Sequence, residues 1–229
     1  MNTQHVPVIT IDGPSGVGKG MVTRWLAQKI LWHRLDSGAL YRILALAARA
    51  RGVPLDQSEQ VAALAPDLKI VFGGATEYDE AIHVDGEDWT DAVRAETTGE
   101  LASQIATAPI VRAALLRRQR DFRTAPGLIA DGRDMGTIVF PDADLKIFLD
   151  ASAEARAERR WRQLSTKGAS VKLSDLFAEI RLRDARDRNR RVAPLVAAAD
   201  AVVVDTTRME PDEVLSAVEA LLLGRNLLS

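Results

Sequence analysis

The chain has 229 residues, 47% hydrophobic and 27% charged, which suits one ordinary domain and excludes disorder over most of its length. Lys+Arg 30 against Asp+Glu 32 gives a net charge of -2, so no global field favours nucleic acid or an anionic membrane, and neither is expected as a partner. With Cys 0, disulfides, thiolate nucleophiles and cysteine-ligated zinc are excluded, and His5, His33 and His83 are too few for a histidine metal site, so no protein metal ligand is assigned.

In chain order, Val6–Asp12 is a β-branched run that ends in GPSGVGKG, and Gly20–Leu31 follows with helical spacing through Val22, Trp25, Leu26 and Ile30. Leu35-Asp36-Ser37-Gly38 reads as a strand end that turns into the alanine-rich helix Ala39–Ala50. A short helix then runs to about Pro66. Leu68–Phe72 and Ala81–Val84 are strand-like runs around Gly73-Gly74, and Asp85-Gly86 is a hairpin signal before Trp89; together these predict a small β insertion over about 67–95. Helices resume over Glu100–Ala106 and Pro109–Arg123, and Pro126-Gly127 stops the second.

Three apolar runs, Leu128–Ala130, Leu145–Leu149 and Ala201–Val204, each lead to an aspartate: Asp131, Asp150 and Asp205. Helices are predicted from Ala153 to about Lys167, from Ser174 to Arg191 and over Pro211–Leu223. Strands alternating with helices imply an α/β fold with a mostly parallel sheet, in which ligands bind beyond the carboxyl ends of the strands. Neither an amino-terminal targeting pattern nor a run of some 18 apolar residues is present, and a cytoplasmic protein is the expectation.

Gly13-Pro14-Ser15-Gly16-Val17-Gly18-Lys19-Gly20 fits G-x-x-x-x-G-K, in which glycines turn backbone N–H groups onto phosphate oxygens and the lysine reaches the β and γ phosphates. A bare match arises by chance in roughly one chain in fifteen of this length, but a preceding strand and a following amphipathic helix favour phosphate binding over a chance turn. Gly20 removes the hydroxyl that switch GTPases place on magnesium. Met21 defeats the rival dinucleotide fingerprint, which needs a small residue there.

Ile180–Arg191 (IRLRDARDRNRR) places Arg183, Asp187 and Arg190 on one predicted helical face. A merely solvated face would mix in Lys and Glu, and this stretch has neither; guanidinium is the choice where phosphate is gripped bidentately. Arg42, Arg133 in Asp131-Gly132-Arg133-Asp134, and Arg156, Arg159, Arg160 and Arg162 add further fixed cations, as an in-line phosphoryl transfer requires. The tryptophans at 25, 32 and 161 read as packing, and Arg117, Arg118 and Arg120 as a solvated or interfacial face.

GPSGVGKG, DSGALYR, LIADGRDMGTIVFPDADLKIFLDAS and RDARDRNR followed by APL, in that order between about residues 6 and 206, closely resemble the bacterial cytidylate kinases. The resemblance implies a single nucleoside monophosphate kinase domain over 1–229. Its fold would be a P-loop core with a five-stranded parallel sheet flanked by helices, a β-containing monophosphate-binding insertion at about 67–95 and a helical lid at about 153–191. By the same resemblance Gly13, Pro14, Ser15, Gly16, Val17, Gly18, Lys19, Gly20 and Met21 would hold the ATP phosphates, with Arg156 and Arg160 closing over ATP from the lid. Ser37, Tyr41, Ser103, Arg112 and Arg190 would bind cytidine monophosphate, while Arg42, Arg133 and Arg183 would clamp its phosphate. Asp134 and Asp187 would hold the sugar and order the arginines, and Lys19, Arg133, Asp134 and Arg183 would form the catalytic set.

The implied reaction makes CDP from CMP, and dCDP from dCMP, with Mg2+ arriving on ATP and a monomer as the working unit. The family usually reads GKGT, so Met21 loses a hydroxyl while keeping the backbone N–H. UMP, AMP or shikimate as acceptor, or a regulatory nucleotide-binding or RNA-binding module without catalysis, are the alternatives left by the sequence.

Overall fold

The computed structural model describes residues 5–72, 81–166, 168, 170–225 and 227. In chain order its elements are β1 (Val8–Asp12), α1 (Lys19–Ile30), β2 (His33–Asp36), α2 (Ser37–Ala50), α3 (Ser58–Ala63), a 3-10 turn (Ala65–Asp67), β3 (Ile70–Phe72), β4 (Ile82–Val84), β5 (Glu87–Asp88), α4 (Thr90–Arg94), α5 (Glu96–Ile105) and α6 (Pro109–Arg120). There follow β6 (Leu128–Gly132), a π-helical turn (Met135–Val139), β7 (Leu145–Asp150), α7 (Ala153–Thr166), α8 (Leu173–Arg188), β8 (Val202–Asp205) and α9 (Pro211–Leu223). They fall into two compact units, Asp36–Phe122 and the segments on either side of it.

The flanking segments build a five-stranded sheet in the order β2-β6-β1-β7-β8. The pairs β1–β6, β1–β7 and β7–β8 are parallel, with Ile9 opposite Ile129 and Leu145, and Ile147 opposite Val202. Ile9, Ile11, Leu145, Ile147 and Leu149 alternate onto one face, where they meet Val22 and Leu26 of α1 and Val214, Val218 and Leu222 of α9. α9 starts on a reciprocal capping box between Glu210 and Glu213, with Pro211 in its first turn. On the other face Thr10 is covered by Gly136 of the π-helical turn, where an added Cβ would stand 2.9 Å from Thr10 Oγ1. Because the chain passes from β6 to β7 across β1, the strand order reverses at β1, and the loop after β1 opens at this switch point.

In the second unit α2 packs on α5, and α3 on α6. A three-stranded antiparallel sheet, β3-β4-β5, lies within it, turned at Asp85-Gly86 with both residues at positive φ, 53° and 91°. The small β insertion expected from the sequence is therefore present; Gly73-Gly74 lies outside the described residues. Of the arginines expected on a solvated or interfacial face, Arg118 donates to the carbonyls of Ala65 and Leu68. α4 and the π-helical turn were not foreseen, and α5 starts four residues before Glu100.

α7 matches its expected start, while Lys167 lies outside the described residues. α8 stops at Arg188 rather than continuing to Arg191. Pro194 cannot donate to a helix and disfavours the helical conformation at Ala193, which takes φ 52°; the turned chain lets Leu195 N donate to Asp187 O at 2.9 Å. Among the described residues no helix is long and apolar enough to cross a membrane.

Trp32 packs flat on Gly127, as its packing assignment expected: a Cβ there would come within 2.3 Å of the indole. Gly127→Ala is expected to lower stability by about 1–3 kcal/mol in denaturant melts, because the ring or the backbone beneath it must move. An unchanged midpoint would mean that the indole swings away freely.

Candidate active site

The loop after β1 is shaped by where its backbone must go. Gly13 has φ 150°, and a Cβ on it would lie 2.1 Å from Leu149 O, so only glycine lets the chain pass β7. Gly16 and Gly18 take φ 79° and 95°, and Gly18 is the residue from which α1 starts. Val17 turns inward into the core, leaving its main chain for a ligand. First-turn N–H groups of a helix have no intrahelical partner four residues back, which makes this helix start attractive to an anion. Met21 N is tied to Gly18 O at 3.0 Å, and its side chain packs against the core, so this position is less available than the sequence suggested.

Lys19 is buried, and its Nζ donates to Gly13 O at 2.9 Å and Pro14 O at 2.7 Å. Burial lowers its pKa to about 7; the charges of Arg133 and Arg183 push the same way, against Asp131 and Asp12. Lys19, Arg133 and Arg183 thus share one electrostatic field. Asp12 closes β1 and accepts from the backbone N–H groups of Met135 and Gly136, both at 2.8 Å. Burial raises the Asp12 carboxyl to about 6 despite those bonds. Holding this turn fixes the Gly132-Arg133-Asp134 segment before it, with Asp134 itself buried. Asp131, at the end of β6, accepts from Thr23 Oγ1 at 3.1 Å.

On α8, Asp187 collects the arginines. Arg133 Nε donates to its Oδ2 at 2.8 Å, Arg190 Nη2 stands 3.5 Å from Oδ1, and Arg190 Nε donates to the Asp187 carbonyl. Burial alone would raise this carboxyl, but Arg133 and Arg190, aided by the hydrogen bond and by Arg183, hold it below the usual range. Arg190, read as helical, lies beyond the end of α8 and folds back. Arg156 is buried and Arg160 half-buried on α7. Arg156 spends its donors on Ala151 O, Ser15 O and both carboxylate oxygens of Asp184. Arg159 holds the carbonyls of Thr206 and Met209. Beside Arg156, the ends of β7 and β8 border a cavity of about 660 Å³, lined also by Ser152, Arg181, Asp184, Arg188, Asp205 and Thr207, a size that suits a nucleoside.

The second unit groups its own candidates. Ser37 and Tyr41 on α2, Ser103 on α5 and Arg112 on α6 are all buried. The Arg112 guanidinium lies 5.5 Å from the Tyr41 ring centroid, and its Nη1 donates to Ala106 O at 3.3 Å. Arg42 donates to Val93 O at 2.9 Å and Ala95 O at 3.3 Å, at the end of α4.

Asp12, Thr23 and Asp184 escaped the sequence reading as site residues, and Asp131 entered it only as a strand end. For Asp12 a signal existed, since β1, like β2, β7 and β8, ends on an aspartate.

Asp187→Asn is expected to be less stable than the parent chain at neutral pH. A depressed folded-state pKa contributes stability above the ordinary 3.8 and loses it as pH falls, so the gap should narrow below about pH 4. Melts from pH 7 to pH 3 measure this, and a pH-independent gap would contradict the ionic role.

The family model for cytidylate kinase matches residues 9–222. The protein named cytidylate kinase in Aeromonas salmonicida is 58% identical over 217 residues, 95% of this chain and 94% of its own. Those of Sodalis glossinidius and Stutzerimonas stutzeri are each 56% identical, covering 99% and 97% of both chains respectively. With a phosphate loop at the sheet's switch point and these full-length relatives, the chain belongs to the cytidylate kinase family.

Proposed function

We propose that this protein transfers the γ-phosphoryl group of ATP to CMP and dCMP, yielding ADP with CDP or dCDP. The observation that carries the reading is the convergence of Lys19, Arg133 and Arg183 in one field at the start of α1, within a chain of this family. An acceptor phosphate oxygen attacks the γ phosphorus as the bond to the β-bridging oxygen breaks and ADP leaves. The acceptor is already anionic, so no general base is required, and catalysis lies in positioning and charge.

The loop from Gly13 to Met21 cradles the ATP phosphates through its main chain, and Lys19 leaves the Gly13 and Pro14 carbonyls for the transferring group. The adenosine end is assigned to the cavity at the ends of β7 and β8. Arg42, Arg133 and Arg183 clamp the acceptor phosphate. Ser37, Tyr41, Ser103, Arg112 and Arg190 bind the nucleoside, and Asp134 and Asp187 hold the sugar and the arginines. The insertion at about 67–95 serves monophosphate binding, and the 153–191 region acts as the lid.

Mg2+ supplies charge neutralisation on the phosphates. Gly20 offers it no hydroxyl, and Asp12 gives both oxygens to backbone N–H groups. These residues fit an ion carried in by the nucleotide and coordinated mainly by phosphates and water.

ADP release is measured with CMP, dCMP, UMP, AMP and shikimate as separate acceptors. Turnover with CMP and dCMP is expected, and turnover with another acceptor instead would move the substrate assignment. Silence with all five would leave nucleotide binding without this reaction. In the same assay, Arg112→Ala should weaken CMP use about 10-fold or more while sparing the apparent affinity for ATP; equal losses would remove Arg112 from base reading.

ATP binding should also take up a proton. Near pH 8 a lysine with a pKa of about 7 is mostly neutral, and a polyphosphate restores its charge, so affinity should fall as pH rises from about 7 towards 10.5. Calorimetric titrations at pH 8 in buffers of different ionisation heat should show the uptake in the parent chain and none in Lys19→Met. Equal heats in all buffers would mean that Lys19 is already charged.

A further inference from the structure

Arg156 is 2% exposed, and a guanidinium so buried persists only if each donor finds an acceptor. Here they do. Nε donates to Ala151 O at 3.0 Å, one terminal nitrogen donates to Ser15 O at 3.1 Å and to Asp184 Oδ1 at 3.0 Å, and the other meets Asp184 Oδ2. One side chain therefore joins the turn after β7, the phosphate loop and α8.

The contact with the loop falls where geometry matters most. Ser15 O belongs to the peptide whose N–H is that of Gly16, so fixing the carbonyl fixes where that donor points. Gly16 is held at φ 79°, and a Cβ on it would touch the Arg156 stem, whose Cβ, Cγ and Cδ lie at 3.5, 3.8 and 3.9 Å. The fork is held in turn by Asp184, whose side chain is 13% exposed. Asp184 adjoins Arg183, and Asp187 lies less than a turn beyond.

We infer that Asp184 is a positioning residue: through its bidentate pairing with Arg156 it sets the Ser15–Gly16 peptide of the phosphate loop. It rests on the ATP-dependent reading above, and it moves Arg156 from the nucleotide, where the resemblance put it, to the loop. A buried pair suits this task. Removing either partner leaves the other charged and uncompensated in a dry setting, so both drift from the loop together. Residues that act through one contact show coupled losses, whereas independent ones multiply.

The test is a double-mutant cycle with Asp184→Asn, Arg156→Gln and the pair, reading ATP Kd by calorimetry, kcat/KM for ATP with CMP as acceptor, and thermal midpoint. Each single change is expected to raise ATP Kd and lower kcat/KM about 10- to 100-fold, with the double no worse than the poorer single. Multiplying losses would overturn the inference. So would an Asp184→Asn chain that binds ATP like the parent while Arg156→Gln does not, since the arginine would then serve the nucleotide alone. A lowered midpoint with parental Kd and kcat/KM would reduce the pair to scaffolding.

If Asp184→Asn does not fold, Asp184→Glu keeps the charge but displaces it by one methylene; it should show the same weakening of ATP, and parental values would overturn the inference. An inactive parent chain would fail the CMP reaction but leave the cycle legible in ATP Kd.

Discussion

Packing several permanent positive charges into one small, partly buried region is the constraint on which this structure depends. At an effective dielectric of about 20, two unit charges 4 Å apart repel by about 4 kcal/mol, and an arginine cannot relieve this by losing its proton. The molecule meets the demand with interleaved carboxylates. Asp187 stands between Arg133 and Arg190, Asp184 neutralises Arg156, and Asp131 and Asp12 face Lys19. Lys19 is the one cation of the set able to yield, and it does so, with its pKa lowered to about 7. The site is thus balanced until further negative charge arrives.

The parallel sheet makes this balance buildable. β1, β7 and β8 run parallel and deliver their terminal aspartates to the same end of the sheet, where connecting loops begin. Asp12, besides facing Lys19, accepts from two backbone donors, and by doing so freezes the turn that follows Arg133 and Asp134. The same strand end, one residue later, needs Gly13 to slip past the Leu149 carbonyl. Two adjacent residues, Asp12 and Gly13, therefore serve the sheet, the phosphate loop and the neighbouring turn.

Much of this was legible in the sequence. The strand–GPSGVGKG–helix succession declared the phosphate loop, because glycine positions and apolar periodicity are local properties. The hairpin at Asp85-Gly86 was legible for the same reason, and α9 matched its expected bounds. What escaped was non-local or too short to show a period. α4 has five residues and completes barely more than one turn, and the π-helical turn reads as an ordinary apolar run. Arg190 looked helical by spacing, yet Pro194 ends α8 before it. The Arg156–Asp184 pair spans 28 residues between two helices rich in arginine, where many pairings are possible on paper and only packing selects one.

The handling of position 21 bears on how such a loop ages. With Val17 in the core and Met21 packed against it, the groups left to face phosphate are mostly main-chain amides. Main-chain amides are not encoded, and short of proline no missense change deletes one. The loop can therefore drift at several positions, altering packing while its donors persist, whereas each arginine of the proposed clamp is a single codon away from loss.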